Sequence, residues 1–174
     1  MEIVITFVPD LYAFHLPNME FDELERVLDE WEDPLFLFEF FSDNEADLNE
    51  AYTIEEAVEK TRNEVKKFRK RMFDLASATP SRLNEFFQNL HNQEYKKTIL
   101  PKQKARQNWL RLYALKIMDD DQTFYVITGG MIKLTALMED RPHGLYERNK
   151  INQCSDYLKD KGVYDTDSFI EIFF

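Results

Sequence analysis

Arg111 and Lys133, with Tyr113, Tyr125 and His143 close in sequence, form the group in this chain best suited to chemistry on a phosphodiester. An arginine and a lysine can stabilise the negative charge that grows on a phosphorane, and a tyrosine or histidine can position or move a proton. Upstream, Lys96, Lys97, Lys102, Lys104 and Arg106 supply the cations that an RNA backbone requires. The plainer reading is that Arg111 and Lys133 pair with acids of the N-terminal third, and both readings stand at this level. Metal chemistry is poorly provided for: His15, His91 and His143 are scattered, and neither His-x-x-x-His nor paired-cysteine spacing occurs. Asp119-Asp120-Asp121 reads as a solvated turn, and Cys154, on the apolar stripe of a predicted helix, as a buried thiol. No nucleotide-cradling glycine motif or nucleophile elbow is present, so neither a metal nor a cofactor is expected.

The elements that must position this group are two strands. Residues 109–117 and 123–135 are rich in β-branched and aromatic residues and are joined by the turn-prone Asp119-Asp120-Asp121, which predicts an antiparallel hairpin. Alternation along the first strand puts Leu110, Leu112, Ala114 and Lys116 on one face and Trp109, Arg111, Tyr113, Leu115 and Ile117 on the other. Neither face is wholly polar, so the strand is expected to be central and covered on both sides. Gly129-Gly130 inside the second strand reads as a bulge that re-aims Lys133.

Elsewhere the residues predict a first strand near 1–7, an irregular connection over 8–18 and a helix over 21–31. The aromatic run 35–41 reads as a buried strand. Thr53 and Glu56 form a capping box for a helix whose stripe runs Ile54, Val58, Thr61, Val65, Phe68, Met72 and Leu75. Thr79-Pro80 signals a second helix carrying Leu83, Phe86, Phe87 and Leu90, which makes a two-helix hairpin. Residues 91–107 read as a basic loop with one short edge strand, residues 146–161 as a helix stopped by Gly162, and 168–174 as an apolar segment that must dock.

The chain has 174 residues, long enough for one domain with its own core, and its single cysteine permits no internal disulfide. With no apolar run near twenty residues, the expectation is a cytoplasmic protein without a membrane partner. The net charge of −11 disfavours nucleic acid on average, yet it is unevenly spread. Residues 1–59 hold 18 acidic and 1 basic residue, whereas residues 60–116 hold 15 basic and 4 acidic. Either neighbouring elements of opposite charge complement one another, or a basic surface is covered or flanked by the acidic third.

Order and local sequence over residues 53–161, and most specifically over 108–135, resemble the RelE/ParE toxin superfamily, in particular its HigB-like and phage-derived members. The strands Arg111-Leu112-Tyr113-Ala114-Leu115-Lys116-Ile117 and Phe124 to Thr135 carry the likeness. It implies an α+β, RelE-like domain, a mostly antiparallel sheet packed by a two-helix hairpin, with residues 1–52 as an acidic extension and 162–174 as a C-terminal segment. It also implies a metal-independent endoribonuclease acting by 2′-hydroxyl attack, with RNA or the ribosome and an antitoxin-like protein as partners. By position Arg111 is the phosphate-stabilising arginine and Lys133 the strand-end cation. Two departures stand out: the chain is acidic and extended at its N-terminus, and the family's paired lysine is here Lys133-Leu134. A non-catalytic interaction module of the same fold is the alternative, and the two differ in whether Arg111 and Lys133 meet in an open cleft or lie against carboxylates.

Overall fold

A computed structural model describes residues 1–90 and 100–174. The strands are β1 (Glu2–Ile5), β2 (Leu11–His15), β3 (Gln88–Asn89), β4 (Lys102–Gln107), β5 (Leu110–Met118) and β6 (Thr123–Ile132). They form one sheet in the order β1-β2-β6-β5-β4-β3, antiparallel except where β2 runs parallel to β6. The helices are α1 (Glu23–Glu32), α2 (Pro34–Asp43), α3 (Ile54–Ala76), α4 (Pro142–Asp160) and α5 (Thr166–Phe173). The fold is therefore α+β, with a mostly antiparallel sheet sandwiched between helical layers.

Within β5 the alternation divides the core as its sequence requires, but Trp109, expected on the face of Arg111, precedes the strand and packs in the core on the side of Leu110 and Leu112. Leu110, Leu112 and Ala114 join Leu24, Trp31, Phe41 and Phe68 on the side of α1, α2 and α3. Tyr113, Leu115 and Ile117 join Ile151, Cys154, Leu158 and Phe169 on the side of α4 and α5. The β5–β6 hairpin turns at Asp119, whose side chain accepts from the Asp121 and Gln122 amides. Both faces are covered, as expected of a central strand.

Local signals held where they were strongest. Thr53 and Glu56 close the capping box of α3, the two bonds measuring 3.1 and 2.8 Å. Gly162, at φ +87°, ends α4 in the left-handed conformation that a Cβ disfavours. The C-terminal apolar segment docks as α5, capped by Asp165 and anchored by the buried Phe169.

Three further expectations are overturned. The aromatic run 35–41 is not a strand but most of α2: Asp33 caps the Leu35 amide, Pro34 occupies the first turn, and only Leu37 and Phe41, one helical turn apart, are fully buried. The connection 8–18 is not irregular but contains β2, whose Leu11 and Ala13 face one core and Phe14 the other. Residues 80–90 do not form the second arm of a helical hairpin: a single 3-10 turn, Leu83–Glu85, leads to β3. Phe86 reaches Phe68 at 4.8 Å and Phe87 stacks on Tyr125 at 4.6 Å, so these apolar side chains are buried without a helix. The helices packed on α3 are α2 and α1. Residues 1–52 thus supply two strands of the sheet and much of one core.

Candidate functional site

The hairpin's bulge decides what Lys133 can do. Tyr113 pairs with Gly129 and Ala114 with Ile127, which leaves Thr128 as the extra residue. Ahead of it Tyr125 and Ile127 face the α1–α3 core; beyond it Met131 faces the α4 side and Ile132 the other. Parity is therefore reversed, and Lys133 falls on the face of Arg111 and Tyr113. Gly129 takes φ +149° there, and a Cβ on it would lie 2.3 Å from Glu147 Oε2. The glycine is required by both backbone and neighbours.

On that face, between the sheet end and α4, lies a cleft of about 600 Å³. Lys102, Lys104 and Arg106 enter from alternate positions of β4, Arg111 and Tyr113 from β5, and Lys133 from the end of β6. Arg148 and Asn152, one turn apart on α4, form the opposite wall with Ile151. Arg106 lies directly across from Arg111, and Lys104 across from Tyr113. Like charges placed opposite one another cost stability, so folding by itself does not favour this arrangement.

The cations are held by neutral acceptors. Arg111 donates to the Asn108 and Leu110 carbonyls at 2.5 and 2.9 Å, and Lys104 to the Leu90 carbonyl at 3.3 Å. Lys102 donates to Asn152 Oδ1 at 2.6 Å, and Lys133 to the Ala136 carbonyl. Among the described residues none of these four, nor Arg106, has a carboxylate within salt-bridge distance; the wall residue Arg148 does, meeting Glu139 at 3.3 Å. Burial, then the charges of Arg111, Arg106 and Lys133, holds the Lys104 ammonium below its usual range, and burial followed by Arg111 does the same for Lys133. Tyr113 is buried, its hydroxyl has no hydrogen-bond partner among the described residues, and burial pushes its pKa far up.

Of the expected site residues, Arg111, Tyr113 and Lys133 converge with Lys102, Lys104 and Arg106. Tyr125 faces the α1–α3 core instead, and His143 does not join them either. It packs edge-on against Phe40 at 5.2 Å, with burial holding its pKa down, and Asp47 and Arg141 are its charged neighbours. Pro142 starts α4 ahead of the expected boundary, and this fixes His143 in the helix's first turn. Lys96 and Lys97 lie outside the described residues. Arg148 was missed by sequence reasoning, although its position beside the apolar stripe of α4 places it at the cleft edge.

Reasoning from sequence also missed a buried ionic cluster behind the cleft. Lys150 bonds Glu23 at 2.6 Å and Glu147 at 2.8 Å, while Arg26 bonds Glu23 at 2.8 Å and Glu30 at 2.7 Å. It ties α1, on one side of the sheet, to α4 on the other. The stretch of β6 beyond Ile127, where β2 no longer pairs, is where this can occur. Burial raises the Glu23 carboxyl, but Arg26 and Lys150 outweigh it and hold the group ionised. Glu147 receives less, its Oε2 is unpartnered, and burial pushes its pKa up to about 7. Cys154 is buried as its stripe position implies, its thiol pushed up to about 12 by burial.

No family model, curated protein or solved structure matches the chain. Its site is therefore read from its own geometry. Among the described residues no His, Cys, Asp or Glu side chains gather in threes as metal ligands would, and no helix is long and apolar enough to cross a membrane.

Proposed function

We propose that the chain binds RNA in the cationic cleft and, in the sharper form of this reading, cleaves it as a metal-independent endoribonuclease of the RelE/HigB type. One observation carries the proposal: five cations from β4, β5 and the end of β6 converge without carboxylate partners among the described residues, in a concave site, at a cost in like-charge repulsion. A polyanion supplies the missing counter-charge. Alternate positions of β4 lie about 6.7 Å apart, so Lys102, Lys104 and Arg106 form a ladder suited to successive phosphates. In cleavage, the ribose 2′-oxygen bonds to phosphorus, the bond to the 5′-oxygen breaks, and a 2′,3′-cyclic phosphate remains. Arg111 and Lys133 are the groups placed to stabilise the intervening charge, and with His143 outside the cleft, Tyr113 and the two lysines of lowered pKa are the candidates for moving protons.

The reading carries with it a cytoplasmic protein that meets RNA, free or on a ribosome, and an antitoxin-like protein able to cover the cleft. Induced expression in a bacterial host tests it. The wild type slows growth and translation, and Arg111→Ala with Lys133→Ala relieves the effect; in vitro, RNA fragments end in a cyclic phosphate and form equally well in EDTA. The non-catalytic interaction module is favoured by a different feature, the solvent-exposed Ile5, Phe7, Leu35 and Phe38 around edge strand β1 and α2. Unchanged growth at good soluble yield, with no RNA binding at low salt, decides for that module.

A further inference from the structure

Lys133 does not only line the cationic cleft. It also lines a smaller hollow of about 250 Å³ with Tyr52, Asn108, Trp109 and Leu134, so the two concavities adjoin across this one side chain. Tyr52, 38 % exposed, is set edge-on against Trp109 at 5.5 Å and an interplanar angle of 85°. Trp109 is fixed beneath it, its indole N–H donating to Thr61 at 3.0 Å and its ring against Phe41. The Lys60 ammonium sits near both rings, 5.4 Å from the Tyr52 centroid and 5.8 Å from that of Trp109. An exposed aromatic held by a buried one and flanked by lysines on two sides has the make-up of a stacking platform for a base in single-stranded nucleic acid.

The polar rim suits the same occupant. Asn108, exposed at φ +52°, lines the hollow, and an amide offers both a donor and an acceptor to a base edge. Its carbonyl accepts from Arg111, which ties the geometry of the hollow to that of the cleft. Asp47, also on the rim, is taken up by a bidentate pair with Arg141, so its charge does not stand unanswered against an incoming strand.

We infer that this hollow is a nucleobase subsite, with Tyr52 as its stacking surface, taking the base adjacent to a phosphate held by Lys133 and Arg111. The inference rests on the RNA reading of the cleft and extends it into the N-terminal segment, which the strand resemblance does not reach. Its substrate class is an RNA strand with an unpaired base at that position.

The test uses the full chain and short single-stranded RNAs scanned at each position with an abasic residue or with 2-aminopurine. Tyr52→Leu keeps an apolar side chain against Trp109 while removing the ring. It is expected to weaken binding about ten-fold, whereas Tyr52→Phe binds as wild type does. One abasic position abolishes the difference between wild type and Tyr52→Leu, and 2-aminopurine is quenched at that position in the wild type. Arg111-dependent RNA binding with equal affinity for wild type and Tyr52→Leu, and a flat abasic scan, overturns the subsite and leaves the cleft reading intact. A loss in Tyr52→Leu that persists on RNA abasic at every position also overturns it. Should Tyr52→Leu fail to fold, the wild-type abasic and quenching scans decide alone. Absence of RNA binding by the wild type at low salt removes the cleft reading and the subsite with it.

Discussion

Two groups of charged residues meet α4, one buried and one open, and they are built on opposite rules. In the buried cluster Lys150, Arg26, Glu23 and Glu147 answer one another across the sheet edge. In the cleft, Lys102, Lys104, Arg111 and Lys133 lean on carbonyls and an amide, and neither they nor Arg106 have a carboxylate within salt-bridge distance among the described residues, Glu139 on the rim being paired with Arg148. Charge removed from water must be compensated where it lies, whereas charge left at a concave surface can wait for a ligand. Mutations in the first group should therefore act on stability, and mutations in the second on binding.

The largest effect is expected at Lys150. Lys150→Met strips one side of Glu23 of its cation and leaves Glu147 only the longer contact to Arg26, at 3.7 Å, and should lower unfolding stability by about 3 kcal/mol in urea titrations. Adding Glu147→Met should restore much of that loss, because the orphaned carboxylate is removed with its partner. A single mutant as stable as wild type would break the contrast between the two regions.

Gly129→Ala comes next. Its Cβ meets Glu147 and Lys150 well inside contact distance and forces a left-handed backbone on a non-glycine residue, so a loss of about 1–3 kcal/mol is expected in thermal or chemical denaturation. Because the same bulge aims Lys133, RNA affinity should fall alongside stability.

Glu147 sharpens the comparison through pH. Its folded pKa is raised from 4.5 to about 7, so the native state holds a proton that the unfolded chain has released over that interval. Its contribution to stability is fully present below 4.5 and is lost as pH rises through about 7. Glu23, lowered below 4.5, contributes in the opposite sense, stabilising above that value and failing as pH falls through its folded pKa. Glu147→Gln should flatten the decline between pH 4.5 and 7 in a stability–pH profile and leave the acid limb in place.

The cleft should respond with the reverse sign. Arg106→Thr relieves the repulsion with Arg111 directly across the ladder and should raise stability by about 0.2–1 kcal/mol. On the RNA reading the same change weakens binding and lowers the log–log salt slope by about 0.7. The smallest effect is expected from the acidic third: no residue before Leu90 lines the cleft, so Glu25→Lys should leave RNA affinity within about two-fold at physiological salt, where such charges are screened. Asp22 is a poorer choice for that test, since it caps α1 through the Leu24 and Glu25 amides.

Sequence by itself determined the features that depend on near neighbours. The capping box, the 108–135 hairpin, the division of β5 into a core face and an Arg111–Tyr113 face, and a bulge at the glycine pair all follow from turn chemistry and alternation. Arg111, Tyr113 and Lys133 could be brought together from these signals because they sit on adjacent antiparallel strands joined by a short turn. Tertiary structure decided what depends on distant partners. Whether Leu11–His15 is a strand depends on its parallel seat against Tyr125–Ile127, and with that position filled by β2, the aromatic run after Pro34 is covered as a helix against α3. His143 left the site because α4 begins at Pro142 and turns the imidazole toward Phe40. The ion pair between Glu23 and Lys150 is invisible to any local pattern. It forms where β2, continuing to His15 beside β1, no longer pairs with β6 beyond Ile127 and leaves an edge at which helices from opposite faces of the sheet meet.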